Sequence, residues 1–320
     1  MKGSATADVQ RLLVIRLSAL GDVIHTIPAV VALQRALPAA DIAWVVEAPY
    51  VELVEKVARV RAIPVSMKRW GRDLVGSRGD LVRTIRTLRS HTHGHTTVDF
   101  QGLVKSAALG VLAGGRRRFG FDAGAIREKF ALLFINERVD VDTSGHVIEW
   151  NLALAKGIAP IERDVAVDFS PFVAEDAPHL APLRDRVVLL PGAGKANKLW
   201  PVERFRELAS RIGSSALAVW GPGEEDLARG VDCEVAPPTS LRELAFVLAH
   251  ARLVVGADTG PLHLAAALHT PLVALFGPTN PRRNGPWGQG AHCISRFDRD
   301  RHMASIEVDE VMAMMETLQR

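Results

Sequence analysis

The chain has 320 residues, 48% of them hydrophobic and 23% charged, which is an ordinary soluble globular composition, and its length exceeds the roughly 250–300 residues that one core usually serves, so two domains are expected. No apolar run approaches the ~20 residues of a membrane span, and MKGSATADVQ at the N-terminus has no apolar signal core, so cytoplasm is expected; Cys233 and Cys293 show no paired spacing and require neither a disulfide nor a metal. Residues 1–170 hold 23 Lys+Arg against 18 Asp+Glu (+5) and residues 171–320 hold 16 against 18 (−2), summing to +3; the basic half points to an anionic partner or only to a solvated surface.

Leu12 to Ile15 predicts a buried strand, followed by the loop Arg16-Leu17-Ser18-Ala19-Leu20-Gly21-Asp22. Ile27, Val30, Val31, Gln34 and Leu37 then keep a helical period. Pro28 suits a first helical turn, which puts Asp22 in the loop or at the cap. Strands are predicted at Ile42 to Val46, Ala62 to Met67 and Thr97 to Phe100, and helices at Pro49 to Val57, Leu81 to Leu88 and Leu103 to Leu112. From Arg116 the pattern is less regular until a helix at Val147 to Lys156. Proline-rich Phe169 to Arg184 reads as the interdomain linker.

Beyond it the alternation restarts, with strand Val187 to Leu190, helix Val202 to Ile212, strand Leu217 to Trp220 and helix Glu224 to Arg229. Ser240 with Glu243 forms a capping box for a helix from Leu241 to Ala251. Val254 and Val255 close a strand, and Leu262, Leu264, Ala265 and Leu268 follow as a buried helical face. A strand at Leu272 to Phe276 and an amphipathic helix at Glu307 to Leu318 complete the chain. Repeated strand–helix order implies two α/β, doubly wound parallel-sheet domains, 1–170 and 171–320.

Open parallel sheets bind ligands at the carboxyl ends of their strands. The first domain supplies Ser18 to Asp22 and Gln101 to Lys105 there; the second supplies Pro191 to Lys198, Gly221 to Glu225 and Asp258 to His263. In the last of these, a strand turns directly into a helix through Asp258, Thr259 and Gly260. That leaves free backbone N–H groups as an anion site.

These loops carry a resemblance. SALGDVIHTIPA at 18–29, WVVE at 44–47, DFQGLVKSAAL at 99–109, GFDAGAIRE at 120–128, KLWPVERFRELA at 198–209, WGPGEE at 220–225, GADTGPLHLAAAL at 256–268 and FGPTNP at 276–281 occur in an order that resembles glycosyltransferase family 9, the heptosyltransferases of lipopolysaccharide core assembly. The resemblance spans nearly the whole chain. Within the family, QGLVKSAAL and KRW at 68–70 point to the members that add the first heptose; an enzyme with another donor or acceptor is the nearer alternative. A non-catalytic nucleotide-sugar or glycan-binding protein is the more distant one.

The resemblance implies a GT-B fold, two Rossmann-like domains facing a central cleft that closes. It implies ADP-heptose on the second domain, the Kdo of Kdo-lipid A on the first, inversion at the transferred sugar, and neither cofactor nor essential metal. Such a protein works peripherally on the cytoplasmic face of the inner membrane and has no nucleic-acid partner. Asp22 is the matching catalytic base, expected to stay ionised near a helix start. For the donor, Lys198 matches the cation on the leaving diphosphate, with Gly192, Ala193, Gly194, Thr259, Gly260 and His263 around it and Asp258 on the heptose hydroxyls. Where Ala193 and Gly194 stand the family commonly has hydroxyl residues, so phosphate contacts fall to backbone N–H groups. Glu224 matches the ribose acid, with Glu225 inseparable from it, and Thr239 lies where the family lines its adenine pocket.

Lys68, Arg69, Arg72 and Arg127 match basic positions for Kdo carboxylates and lipid A phosphates, which guanidinium groups suit, and Gln101, Gly102 and Lys105 line the same acceptor side. Three further signals read as structural. Lys195 and Arg116 to Arg118 are surface cations, His91, His93 and His95 fall in a solvent-exposed turn, and Asp140 with Asp142 only mimics a metal-binding Asp-x-Asp. No Gly-x-Gly-x-x-Gly follows the first strand, against a nicotinamide dehydrogenase.

Overall fold

The computed structural model describes residues 9–318 except 68–69, 71–77, 93, 163 and 176. Two compact units meet in sequence between Val167 and Asp168. The first is built on six parallel strands: β1 (Arg11–Ile15), β2 (Asp41–Glu47), β3 (Arg61–Val65), β4 (Thr96–Asp99), β5 (Arg117–Phe121) and β6 (Glu137–Val139), in the spatial order β3-β2-β1-β4-β5-β6. The second repeats the plan with β7 (Val187–Leu190), β8 (Ala216–Ala218), β9 (Glu234–Val235), β10 (Leu253–Ala257), β11 (Leu272–Phe276) and β12 (Cys293–Ser295), ordered β12-β11-β10-β7-β8-β9. In each unit the order reverses beside the first strand, between β1 and β4 and between β7 and β10. Those are the topological switch points where doubly wound sheets hold ligands.

Central strands read as unbroken apolar runs because helices cover both faces. Leu12 to Ile15, Val187 to Leu190 and Leu253 to Ala257 are all buried. In the first unit α1 (Leu20–Ala36) packs against α5 (Val147–Lys156), while α2 (Val51–Leu53), α3 (Arg78–Thr92) and α4 (Val104–Leu112) make the other crossovers. In the second, α6 (Val202–Ile212) packs with the C-terminal helix α11 (Val308–Leu318). Trp200 stacks edge-on to Phe205 at 4.8 Å and donates its indole N–H to the Ile306 carbonyl at 3.0 Å, which ties that helix to the core. The remaining helices are α7 (Glu225–Arg229), α8 (Leu241–Ala249), α9 (Gly260–Ala267) and the short α10 (Pro281–Asn284).

Several expectations need correction. Helix α1 begins at Leu20, so Asp22 is its third residue and Pro28 lies in its interior. Ala19, extended at φ −86°, takes the capping position, and the Asp22 carboxylate accepts the Ala19 N–H at 3.4 Å. Asp22 is thus the inner arm of a capping box and not the cap itself. The segment 169–184 is no loose linker: it forms two 3-10 turns, Ser170–Phe172 and Pro178–Leu183, that bury Phe169, Phe172, Leu180 and Leu183 in the second unit.

His91 is not in a solvent-exposed turn but buried in the last turn of α3, with Nδ1 3.2 Å from the Asp41 carboxylate and in contact with Arg61. His93 lies outside the described residues. Strand β5 and the edge strands β6, β9 and β12 gave no sequence pattern; these three edge strands have two or three residues each and none is wholly buried, so no apolar run marks them.

Candidate functional site

In the first unit the switch point gathers two loops. Register pairs Ile15 with Asp99, so the residues after β1 and β4 emerge side by side. Arg16 is buried there, and its Nη2 meets Asp22 Oδ1 at 2.6 Å while Nη1 donates to the Phe100 carbonyl. Its Nε is buried without a hydrogen-bond partner among the described residues. The Asp22 side chain keeps 36% of its exposure against 8% for Arg16, so the carboxylate remains open to a ligand while the guanidinium fixes it from behind.

Asp99 closes β4 and is fully buried. Its Oδ1 accepts the N–H groups of Gln101 and Gly102 at 2.8 and 3.2 Å, and Oδ2 accepts the Ser106 hydroxyl at 2.9 Å. Burial pushes its pKa up to about 6 against those hydrogen bonds and the charge of Arg16. The turn it organises presents Gln101, whose Oε1 accepts the Leu17 N–H at 2.9 Å and braces the loop that carries Asp22. Gly102 sits at φ +67°, and a Cβ there would stand 3.2 Å from the Arg127 nitrogen. Its carbonyl accepts the Glu128 N–H at 2.9 Å, and Glu128 in return accepts the Val104 N–H at 2.7 Å.

Asp22, Gln101, Gly102, Lys105 and Arg127 are therefore collected in one region, with Lys105 and Arg127 exposed. Gln101 is buried, a brace as much as a wall. Lys68, Arg69 and Arg72 lie outside the described residues.

The second unit's switch point holds the loops after β7 and β10. Lys198 ends a short 3-10 turn (Ala196–Lys198) and places Nζ 2.6 Å from Asp258 Oδ2 and 3.3 Å from the Asp258 carbonyl. His263, buried in the first turn of α9, brings Nε2 to 3.0 Å from Asp258 Oδ1. Burial alone would raise the Asp258 pKa; His263 and Lys198 outweigh it and hold the carboxyl at about 2. Both Asp258 oxygens are thus engaged, which makes this residue the anchor of a cation and an imidazole. Thr259 precedes α9 in extended conformation, and its Oγ1 is buried with no partner among the described residues.

Beside this group lies a cavity of about 170 Å³ walled by Leu190, Gly192, Ala193, Gly194, Trp220, Glu224, Leu244, Thr259 and Gly260 among others. Glu224 accepts the Gly221 N–H at 3.1 Å and lies against Gly192, where any Cβ would strike its carboxylate. Glu225 instead pairs with Arg229 along α7 at 2.6 Å. The structure thereby separates the two acids: only Glu224 faces the cavity. Thr239 is half-buried just before Ser240, the cap of α8, and is not among the cavity walls; Lys195 is exposed.

Arg117 pairs with the Glu137 side chain at 3.2 Å, and Arg118 donates to the Phe134 and Gly115 carbonyls at 2.6 and 2.8 Å, so both are engaged in local structure. Asp142 accepts the Ser144 N–H in a turn at 2.9 Å. Among the described residues no group of three or more His, Cys, Asp or Glu side chains is placed to hold a metal. Sequence reasoning missed Arg16 and Asp99 as site residues. Their signal was present as a cation directly after the first strand and an acid closing the fourth.

The arrangement offers an open carboxylate held by a buried guanidinium in one unit, and in the other an anion-compatible turn with a cation and a cavity. Comparison with known proteins matches residues 81–312 to the family described as glycosyltransferase family 9 (heptosyltransferase). The chain is 32% identical to lipopolysaccharide heptosyltransferase 1 of Salmonella typhimurium over 94% of this chain and 98% of that protein. It is 35% identical to the Pseudomonas aeruginosa protein of the same name, over 90% and 84%. Among solved structures it is similar to the Escherichia coli heptosyltransferase WaaC with ADP, with a TM-score of 0.83 and 29% identity across 96% of this chain and 99% of that one.

Proposed function

From the premise that the chain belongs to glycosyltransferase family 9, and is therefore an enzyme with that family's GT-B fold, we propose that it transfers heptose from ADP-heptose to the Kdo of Kdo-lipid A, the first heptose addition of the lipopolysaccharide inner core. The observation that carries this reading is the pair of switch-point sites: an open, oriented carboxylate at Asp22 and the Lys198–Asp258–His263 group beside the Glu224 cavity.

Asp22 is the base. Its carboxylate takes the proton of the Kdo hydroxyl as that oxygen bonds to the anomeric carbon of heptose, and the bond from that carbon to ADP breaks with its electron pair leaving on the diphosphate. The configuration inverts because entry and departure are on opposite faces. Arg16 fixes where the carboxylate points, and positioning of this kind supplies much of the rate for a weak base.

Charge develops on the departing diphosphate. Lys198 meets it, together with the positive N-terminal end of α9, the backbone of Gly192 to Gly194 and the spare Thr259 hydroxyl. Glu224 accepts ribose hydroxyls, Thr239 contributes to the adenine pocket, and Asp258 holds Lys198 and His263 toward diphosphate and heptose. Lys105 and Arg127, with Lys68, Arg69 and Arg72 from the family match, receive the acceptor's carboxylates and phosphates. The acceptor is a lipid, so the enzyme works at the cytoplasmic face of the inner membrane. Attachment there is peripheral; among the described residues no helix is long and apolar enough to cross a membrane. Catalysis runs without bound metal or cofactor.

The deciding experiment incubates the protein with defined Kdo-lipid A acceptors and a panel of nucleotide sugars. ADP release from ADP-heptose that depends on acceptor, and a product one heptose heavier, are expected. Release without acceptor, or preference for another nucleotide sugar, would reject the assignment.

A further inference from the structure

The crossover between β5 and β6 brings Arg127 to the acceptor side through the bond between the Gly102 carbonyl and Glu128, then continues as a 3-10 turn, Lys129–Leu133. In such a turn residues three apart stand on one side. Phe130 and Leu133 are so related, and they are 76% and 78% exposed, far more than the other large apolar side chains of the described residues. The opposite side is fixed: Ala131 is buried, and the turn packs on α4, whose Val111 and Leu112 are also exposed. Scattered exposed leucines need no explanation, but a rigid turn that presents two large apolar groups together does.

Cations frame this apolar pair. Lys129 Nζ donates to the Ala123 carbonyl on the entering side, Arg138 Nη2 donates to the Leu132 carbonyl at 3.2 Å, and Arg118 Nε to the Phe134 carbonyl on the leaving side. Residues 116–138 hold six Arg and Lys against three Asp and Glu. Each of those acids is already engaged: Asp122 by the Gly124 and Ala125 N–H groups, Glu128 by Val104 and Glu137 by Arg117.

We propose that the turn Lys129–Leu133 is a membrane-docking element, with Phe130 and Leu133 inserting among lipid tails and the surrounding cations lying on anionic headgroups. Apolar anchors in a basic ring are what an anionic bilayer surface binds. A second copy of the chain fits less well, because it would bring two basic faces together. The proposal rests on the reading that the acceptor is lipid-linked, and it explains how the acceptor side of the first unit is held at the plane where that lipid resides.

The test uses the full chain in flotation with vesicles of phosphatidylethanolamine and phosphatidylglycerol in equal parts, and of phosphatidylcholine alone. The wild type should float with the anionic vesicles, less as salt rises. The double variant Phe130→Ser/Leu133→Ser should bind them about tenfold or more weakly, because two apolar side chains no longer leave water. Its melting temperature should match wild type, since both side chains face solvent. Lys129→Glu should weaken binding and flatten its salt dependence.

Flotation of the double variant equal to wild type would overturn the proposal. So would a concentration-dependent dimer that the double substitution dissolves while the wild type ignores vesicles. Transfer to acceptor dispersed in detergent separates this from the reaction itself. A double variant that is active in detergent and impaired on vesicle-borne acceptor supports docking; a wild type inactive in detergent rejects the reaction and leaves the flotation result to judge the turn.

Discussion

Arg16 and Asp22, six positions apart in sequence, meet at 2.6 Å because β1 ends just before Arg16 and the chain passes through a short loop into a helix whose third residue is Asp22. The guanidinium is buried and the carboxylate is not, so in the proposed reaction the two have different work, with Asp22 touching substrate and Arg16 positioning it. Asp22→Ala should keep its fold and lose about 10²- to 10⁴-fold in kcat, the usual contribution of a general base. Arg16→Met should also fold, since the Asp22 carboxylate left behind is solvated rather than stranded. It should lower kcat at least about tenfold with the KM for ADP-heptose unchanged, and Arg16→Lys should recover part of it. A donor KM that rises with kcat intact would count against the positioning role.

Lys198 faces a different test, because it is tied to a buried acid. Lys198→Met removes the cation that the proposed reaction sets against the departing diphosphate and should cost about 10²- to 10³-fold in kcat. Stability should fall by roughly 1–3 kcal/mol, less than the ~3–5 kcal/mol typical of a fully buried broken pair, because His263 still holds Asp258. Calorimetry and steady-state kinetics on one preparation give both numbers. Unchanged kcat would remove Lys198 from the leaving-group role.

Much of this was legible in the sequence, and the part that was not has a common cause. Leu12 to Ile15, Val187 to Leu190 and Leu253 to Ala257 announce themselves because both faces of a central strand are apolar. Lys198 and Glu224 stand out because each lies in a Gly-containing segment after a strand, and Asp22 because it stands beside Gly21 soon after the first strand, although the fold puts it inside the first turn of α1. The partnership of Arg16 with Phe100 and the bracing of Leu17 by Gln101 depend on β1 lying beside β4, eighty residues away, and local pattern carries no register between distant strands. The lock of Asp258 on Lys198 is of the same kind, set by β7 against β10. His91 misled for the opposite reason: its Gly- and Thr-rich neighbours suggested a turn, while helix α3 runs on to Thr92 and buries it.

Two buried carboxylates should shape the pH dependence of stability with opposite sign. The Asp258 carboxyl is held at about 2, below its ordinary 3.8, so its contribution of roughly 2 kcal/mol is complete above pH ~4 and is lost as pH falls toward 2. For Asp99, raised to about 6 from 3.8, the folded state keeps a proton that the unfolded state releases. Its contribution is greatest below pH ~4 and falls by roughly 3 kcal/mol as pH rises through 6. Denaturant unfolding of wild type and Asp99→Asn from pH 4 to 7.5 measures this directly. The stability difference, wild type minus variant, should decline across that range; parallel curves would show that Asp99 does not titrate there.

Glu224 and Glu225 are adjacent acids that the fold assigns to different surroundings. Glu224 precedes α7, accepts the Gly221 N–H and lies against Gly192 in the cavity wall, while Glu225 is half-buried and paired with the exposed Arg229 one helical turn on. A surface pair at that spacing is worth only about 0.3–0.5 kcal/mol. Glu225→Gln should therefore leave both stability and donor affinity near wild type. Glu224→Gln keeps the shape but weakens a charge-assisted bond to the ribose, so ADP affinity by titration calorimetry should fall about tenfold. Gly192→Ala should act on the same pocket from the other wall, because its methyl group and the Glu224 carboxylate need the same space. Loss of ADP affinity in Glu225→Gln with none in Glu224→Gln would exchange the two roles, and equal affinity in all three variants would place the ribose elsewhere.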